Sequence, residues 1–141
     1  MEKHCVSLEL AKELKEAGWK KETEFWWEEW IKNAHTPYKS YLVREKRNIP
    51  YLEGRMEYIS APLATEILED LPAYITQGKW EHILKILKIE KENYSVNYTN
   101  NECRSLGDCF CRQMFVDKPL PNVLAKMWLY LKKNNLLTHS T

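Results

Sequence analysis

In Glu24-Phe25-Trp26-Trp27-Glu28-Glu29-Trp30-Ile31, five of eight residues are large and apolar. Aromatic density of this kind favours a pleated strand, where wide rings pack on a half-buried surface. Side chains alternate along a strand. Trp26 and Trp30 therefore share one face with Glu24 and Glu28, and Phe25, Trp27 and Ile31 share the other with Glu29. Both faces carry large rings. Such a strand belongs at the centre of a sheet, with the core on one side and a helix, a subunit or a ligand on the other. The glutamates read as a solvated edge or as partners for Lys and Arg.

The neighbouring segments fold back on this strand. Asn33 to Pro37 reads as a turn. Ser40-Tyr41-Leu42-Val43-Arg44 then returns as a hairpin partner. Glu45 to Gly54 contains Asn48, Pro50 and Gly54 and reads as a loop. Arg55-Met56-Glu57-Tyr58-Ile59 alternates as a third strand. Further on, Tyr94, Val96 and Tyr98 alternate with Asn93, Ser95 and Asn97, a strand with one wet face. Periodicity alone leaves Trp80 to Ile89 open between helix and strand. A hairpin turn at Lys91-Glu92-Asn93 makes both flanks strands.

Three helices frame these strands. The first is expected from Ser7 to Ala17, with Ser7 as cap, Leu10, Leu14 and Ala17 as an apolar stripe, and Gly18 as the stop. The second is expected to start at Ser60-Ala61-Pro62, with Ser60 as cap and Pro62 in the first turn. Its apolar face is Leu63, Ile67, Leu68 and Leu71, and Leu71-Pro72 ends it. The last is expected over Pro121 to Asn134, with Val123, Leu124, Met127 and Leu131 at helical spacing. The class is α+β: a small, mainly antiparallel sheet of four to five strands with about three helices. The chain of 141 residues makes one domain, 1–141.

Composition narrows the chemistry. The net charge of +1 leaves no electrostatic footprint for non-specific nucleic-acid or membrane binding. Met1-Glu2-Lys3-His4-Cys5-Val6-Ser7 has no apolar run of the signal-peptide kind, so a cytoplasmic protein is expected. The sequons at Asn93 and Asn97 are idle without export. Cys103, Cys109 and Cys111 cluster, but C-x5-C-x-C departs from the usual C-x2–4-C zinc spacing. A fourth ligand would have to come from Cys5, His4, His82 or His139. Reduced thiols are the expectation, with no metal and no cofactor. The chain lacks G-x-x-x-x-G-K, G-x-G-x-x-G, H-E-x-x-H and G-x-S-x-G motifs, and no segment advertises catalysis.

Binding remains. Trp27, Trp30 and Tyr41 supply faces on which a base stacks, and Arg44, Arg47 and Arg55 supply forked donors for phosphate. These six residues form the candidate ligand site. The same mixture of Trp, Tyr and Arg also suits the centre of a protein interface. Core aromatics beside a hydrated basic loop would give the same pattern.

Three further segments carry a resemblance. They are Val6-Ser7-Leu8-Glu9-Leu10-Ala11-Lys12-Glu13-Leu14-Lys15-Glu16-Ala17-Gly18, then Tyr58-Ile59-Ser60-Ala61-Pro62-Leu63-Ala64-Thr65-Glu66-Ile67-Leu68-Glu69-Asp70-Leu71-Pro72, then Leu124-Ala125-Lys126-Met127-Trp128-Leu129-Tyr130-Leu131. Together they resemble a family of small proteins carried by bacteriophages and prophages, for which no catalytic residues are assigned. The loop from 103 to 111 and the Trp-rich strand depart from its pattern. The resemblance implies a non-enzymatic phage accessory protein in the host cytoplasm that opposes host defence. One route is to sequester a small nucleotide-type signal without catalysis. The other is to inhibit or adapt a host factor by direct contact. A homodimer or higher homo-oligomer is also expected, with the doubly aromatic strand as its seam.

Overall fold

The computed structural model describes residues 4–33, 36–46, 55–77, 80–100 and 113–137. Ten elements follow in order: α1 (Leu8–Ala17), β1 (Trp26–Asn33), β2 (Thr36–Val43), β3 (Arg55–Ser60), α2 (Ala64–Asp70), β4 (Tyr74–Gln77), β5 (Trp80–Glu90), β6 (Asn93–Thr99), β7 (Phe115–Asp117) and α3 (Leu120–Lys133). Two antiparallel sheets result, ordered β2-β1-β3 and β4-β5-β6-β7. The α+β class is as read from sequence. Among the described residues the strands divide between two sheets, with β4 and β7 flanking the second hairpin.

The trigger for α1 is local. Ser7 Oγ accepts from the Leu10 amide at 3.3 Å, and Gly18 takes the left-handed conformation at φ 103°. A side chain there would be strained by the backbone alone, since the nearest atoms, on Lys132, lie 3.9 Å or more from a Cβ. The second helix begins later than Ser60 predicts. Ser60 ends β3, and the chain stays extended beyond it. The Ala61 amide donates to the Phe25 carbonyl, the Pro62 carbonyl accepts from the Val6 amide, and Leu63 bridges Cys5. These sheet-like bonds outcompete the cap. The helix starts instead at Ala64, where Glu66 Oε1 accepts from the Leu63 amide at 2.7 Å. Leu71-Pro72 ends it as expected.

β2 brings a correction, and β4 is an element that sequence reasoning did not place. Pro37 lies inside β2 rather than in a turn. Among the described residues β2 is the outer strand of its sheet, and Pro37 falls where the register with β1 shifts, the two settings in which a strand tolerates proline. β4 carries no alternation long enough to be read alone. It is held by its pairing with β5, Ile75 opposite His82.

The core gathers around α3, with Val123, Leu124, Ala125, Met127, Trp128 and Leu131 buried. Trp128 meets Trp19 edge to face at 5.3 Å, and its Nε1 donates to Asp70 Oδ2 at 2.6 Å. Asp70 also pairs with Lys21 at 3.0 Å, which joins α2 to the chain after α1. Tyr98 is fully buried and donates its hydroxyl to the Pro72 carbonyl at 2.6 Å, fixing β6 to the exit of α2. Asn122 Oδ1 accepts from the Ser7 amide at 2.8 Å, so the starts of α3 and α1 are tied.

Cys5 is buried where the chain bridges to Leu63, and that burial, aided by the Glu66 carboxylate, pushes its thiol from 9.0 up to about 11. A raised folded pKa stabilises the fold fully below the unfolded value, and this contribution is lost as pH rises through 9 toward 11. Wild-type stability is therefore expected to fall across that window more steeply than that of Cys5→Ala. Urea midpoints at successive pH values measure the difference. Equal slopes would contradict the assignment.

Candidate functional site

The outer face of the first sheet is where the aromatic and basic residues converge. β1 is its central strand, as its two-sided aromatic pattern requires. Cross-strand register sets three rows on the face turned away from the core: Val43, Trp26 and Ser60; Tyr41, Glu28 and Tyr58; Lys39, Trp30 and Met56. The middle row centres on a buried acid. Glu28 is fully buried, and it accepts from Trp30 Nε1 at 2.8 Å and from the Tyr58 hydroxyl at 3.1 Å. The expectation of a solvated carboxylate at Glu28 is thus corrected: it is buried and takes hydrogen bonds from Trp30 and Tyr58. Glu29, on the core side, is buried too and pairs with Lys12 of α1 at 2.8 Å.

Lys46 sits over this face, with its ammonium 5.4 Å from the Trp26 ring centre and 5.9 Å from that of Tyr58. Arg44 lies at the end of β2, 5.0 Å above the Phe25 ring and 3.2 Å from Glu24 Oε1. Glu24 is itself tied back, since its amide donates to Glu66 Oε2 at 3.0 Å. The guanidinium is positioned by a ring and an acid, yet it stays exposed.

Along β2 opens a cavity of about 710 Å³, lined by Trp30, Lys39, Tyr41, Leu42, Val43, Arg44 and Glu45. Three of the six sequence-predicted site residues, Trp30, Tyr41 and Arg44, thus meet at one opening. Tyr41 is 47% exposed, so its ring face is accessible. Trp30 is half-buried, its indole oriented by Glu28.

Trp27 does not join them. It is 8% exposed and belongs to the core, and its Nε1 donates to the Val6 carbonyl at 3.0 Å. Strand alternation carries it to the face opposite Trp30, which removes it from any stacking role. Arg55 begins β3 opposite Ile31 of β1. Arg47 lies outside the described residues. Lys39 is the addition. Its signal was the two-residue spacing of Lys39, Tyr41 and Val43, which puts all three on one face of β2.

No group of three or more His, Cys, Asp or Glu is placed to hold a metal ion among the described residues. Cys103, Cys109 and Cys111 lie outside them. Among the described residues, no helix is long and apolar enough to cross a membrane. No protein-family model matches the chain, and no curated protein or solved structure matches it.

Proposed function

We propose that the protein is a non-catalytic binding protein that takes up a small nucleotide-type signal in the cavity that opens along β2. One observation carries the reading: Trp30, Tyr41, Lys39 and Arg44 line a single open cavity. A nucleotide presents a flat apolar base and an anionic phosphate. The accessible Tyr41 ring suits the base, because stacking on an aromatic contributes about 1–3 kcal/mol with little demand for base identity. Arg44 and Lys39 suit the phosphate, Arg44 through two parallel donors. Glu45 on the rim can accept from sugar hydroxyls. The phage resemblance gives such uptake a purpose, the removal of a signal made by host defence in the host cytoplasm.

A second reading rests on the same strand. β2 is the outer strand of its sheet among the described residues, and an outer strand offers unpaired main-chain groups to an added strand. An extended segment of a host protein laid along β2 would make the protein an inhibitor or adaptor.

The test is equilibrium binding of a panel of linear and cyclic nucleotides to wild type, Tyr41→Ala and the double variant Arg44→Ala/Arg47→Ala. Tyr41→Ala is expected to weaken the best ligand roughly 5- to 100-fold, following the stacking contribution. The double variant is expected to abolish binding while leaving the melting temperature near that of wild type. Unchanged affinity in the double variant would refute the phosphate assignment.

A further inference from the structure

We infer that the cavity along β2 takes a nucleoside with a phosphate on each of its two sides, as in a short 3′,5′-linked oligonucleotide. A mononucleotide, with all its phosphate at one end, is the poorer ligand. The inference rests on the nucleotide reading and narrows its ligand class.

Register orders the lining of the cavity. Lys39 lies opposite Trp30, Tyr41 opposite Glu28 and Val43 opposite Trp26. Lys39 is therefore at one end of the lining, Tyr41 is in the middle, and Arg44, the residue after Val43, is at the other end. At about 3.3 Å per residue, the backbone at Lys39 is roughly 13 Å from that at Val43, and Arg44 lies beyond. Arg44 is also held away from Lys39. Its guanidinium stands 5.0 Å over the Phe25 ring, and its Nη2 is 3.2 Å from Glu24 Oε1. Both partners precede Trp26. Because β1 and β2 are antiparallel, residues before Trp26 lie past Val43, at the end away from Lys39. One phosphate cannot meet both cations while Arg44 keeps these contacts. Spacing thus splits anion recognition into two positions, one on each side of the Tyr41 ring.

The ligand must match that order. With its base on Tyr41, a nucleoside 5′-monophosphate or 5′-triphosphate carries every anionic group on one side of the ribose and satisfies one cation. A nucleoside within a 3′,5′-linked chain carries phosphate on both sides and satisfies both. Arg44 has donors to give. Glu24 takes Nη2, a guanidinium has five N–H groups, and the Arg44 side chain is 63% exposed. Glu45 is the one acid in the lining, and it lies at the Arg44 end. The lining also holds a second ring. Trp30 is diagonal to Tyr41 across β1 and β2, roughly 7 Å away, which suits a second base. Two rings and two separated cations fit a unit of two bases and two phosphates.

Isothermal titration calorimetry tests this with four ligands in both the adenine and the guanine series: the 5′-monophosphate, the 5′-triphosphate, the 5′-phosphorylated linear dinucleotide and the cyclic dinucleotide. Wild type is expected to bind a dinucleotide at least roughly tenfold more tightly than the monophosphate of the same base, the effect of one further hydrogen bond to a charged group. Preference for the linear or the cyclic form identifies the source of the two phosphates, and either preference supports the inference. Lys39→Ala and Arg44→Ala, both at exposed positions, are each expected to weaken that dinucleotide at least roughly tenfold, with melting temperatures near that of wild type. For the monophosphate only one of the two variants is expected to matter. A monophosphate or triphosphate bound as tightly as the dinucleotides would overturn the inference and leave the nucleotide reading standing. So would a dinucleotide indifferent to either variant. A wild type that binds none of the four ligands would overturn the nucleotide reading itself, and the inference with it.

Discussion

Trp128→Ala is expected to lower the unfolding free energy by about 3–5 kcal/mol, the range for deleting a large aromatic from a core. Trp128 is almost wholly buried, at the point where α3 meets α2 and the chain after α1. The substitution removes the edge-to-face contact with Trp19, opens a cavity under α3 and deletes the donor to Asp70. Asp70 retains Lys21, so the carboxylate is not left without a charge partner. Cavity and lost burial therefore dominate. A domain of this size is stable by roughly 5–15 kcal/mol, so the loss is a large share of the whole. Trp128→Phe keeps most of the volume and is expected to lose clearly less. Urea denaturation decides between them, with a lower midpoint at unchanged slope as the expected sign of lost stability. A Trp128→Ala midpoint close to wild type would show that α3 is not the centre of the core.

Glu28→Ala is expected to cost about 2–4 kcal/mol, from two or more donors losing a buried acceptor at roughly 1–3 kcal/mol each. An opposing effect exists, because a buried carboxylate is itself unfavourable to desolvate. The donors left behind decide the sign: Trp30 Nε1 and the Tyr58 hydroxyl both point at Glu28 and would remain half-buried without it. Glu28→Gln keeps one acceptor oxygen and is expected to lose less than Glu28→Ala. The same change reaches the candidate site, because the Trp30 indole that lines the cavity is oriented by Glu28. Ligand affinity is expected to fall in Glu28→Ala along with the melting temperature. A variant as stable as wild type would mean that water or a neighbouring group replaces the carboxylate without loss.

The elements that sequence reasoning placed well are those whose signals are local. Ser7 and Gly18 bound α1 by capping chemistry, and the α3 stripe at Val123, Leu124, Met127 and Leu131 is buried as its spacing requires. The errors arose where long-range pairing outweighs local preference. Ser60 is a good cap in isolation, but Phe25 and Val6 offer the backbone around Ala61 and Pro62 better bonds. β4 and β7 are too short to show alternation and exist through their partners β5 and β6. The site was half legible for a similar reason. Alternation separates Trp27 from Trp30, but which face becomes core depends on where α1 and α3 pack. The chain before α1 decides it, since the Val6 carbonyl receives the Trp27 indole. Glu28 was hardest to read, because a carboxylate on an outward face is ordinarily wet, and its donor Tyr58 lies on another strand.

The most direct test of the binding account is native mass spectrometry of the purified protein with a mixed panel of linear and cyclic nucleotides. The account predicts one defined mass increment per chain, lost in Arg44→Ala/Arg47→Ala, with the nucleotide released intact on denaturation. A spectrum without any nucleotide adduct across the panel, or a released product chemically different from the ligand added, would contradict it.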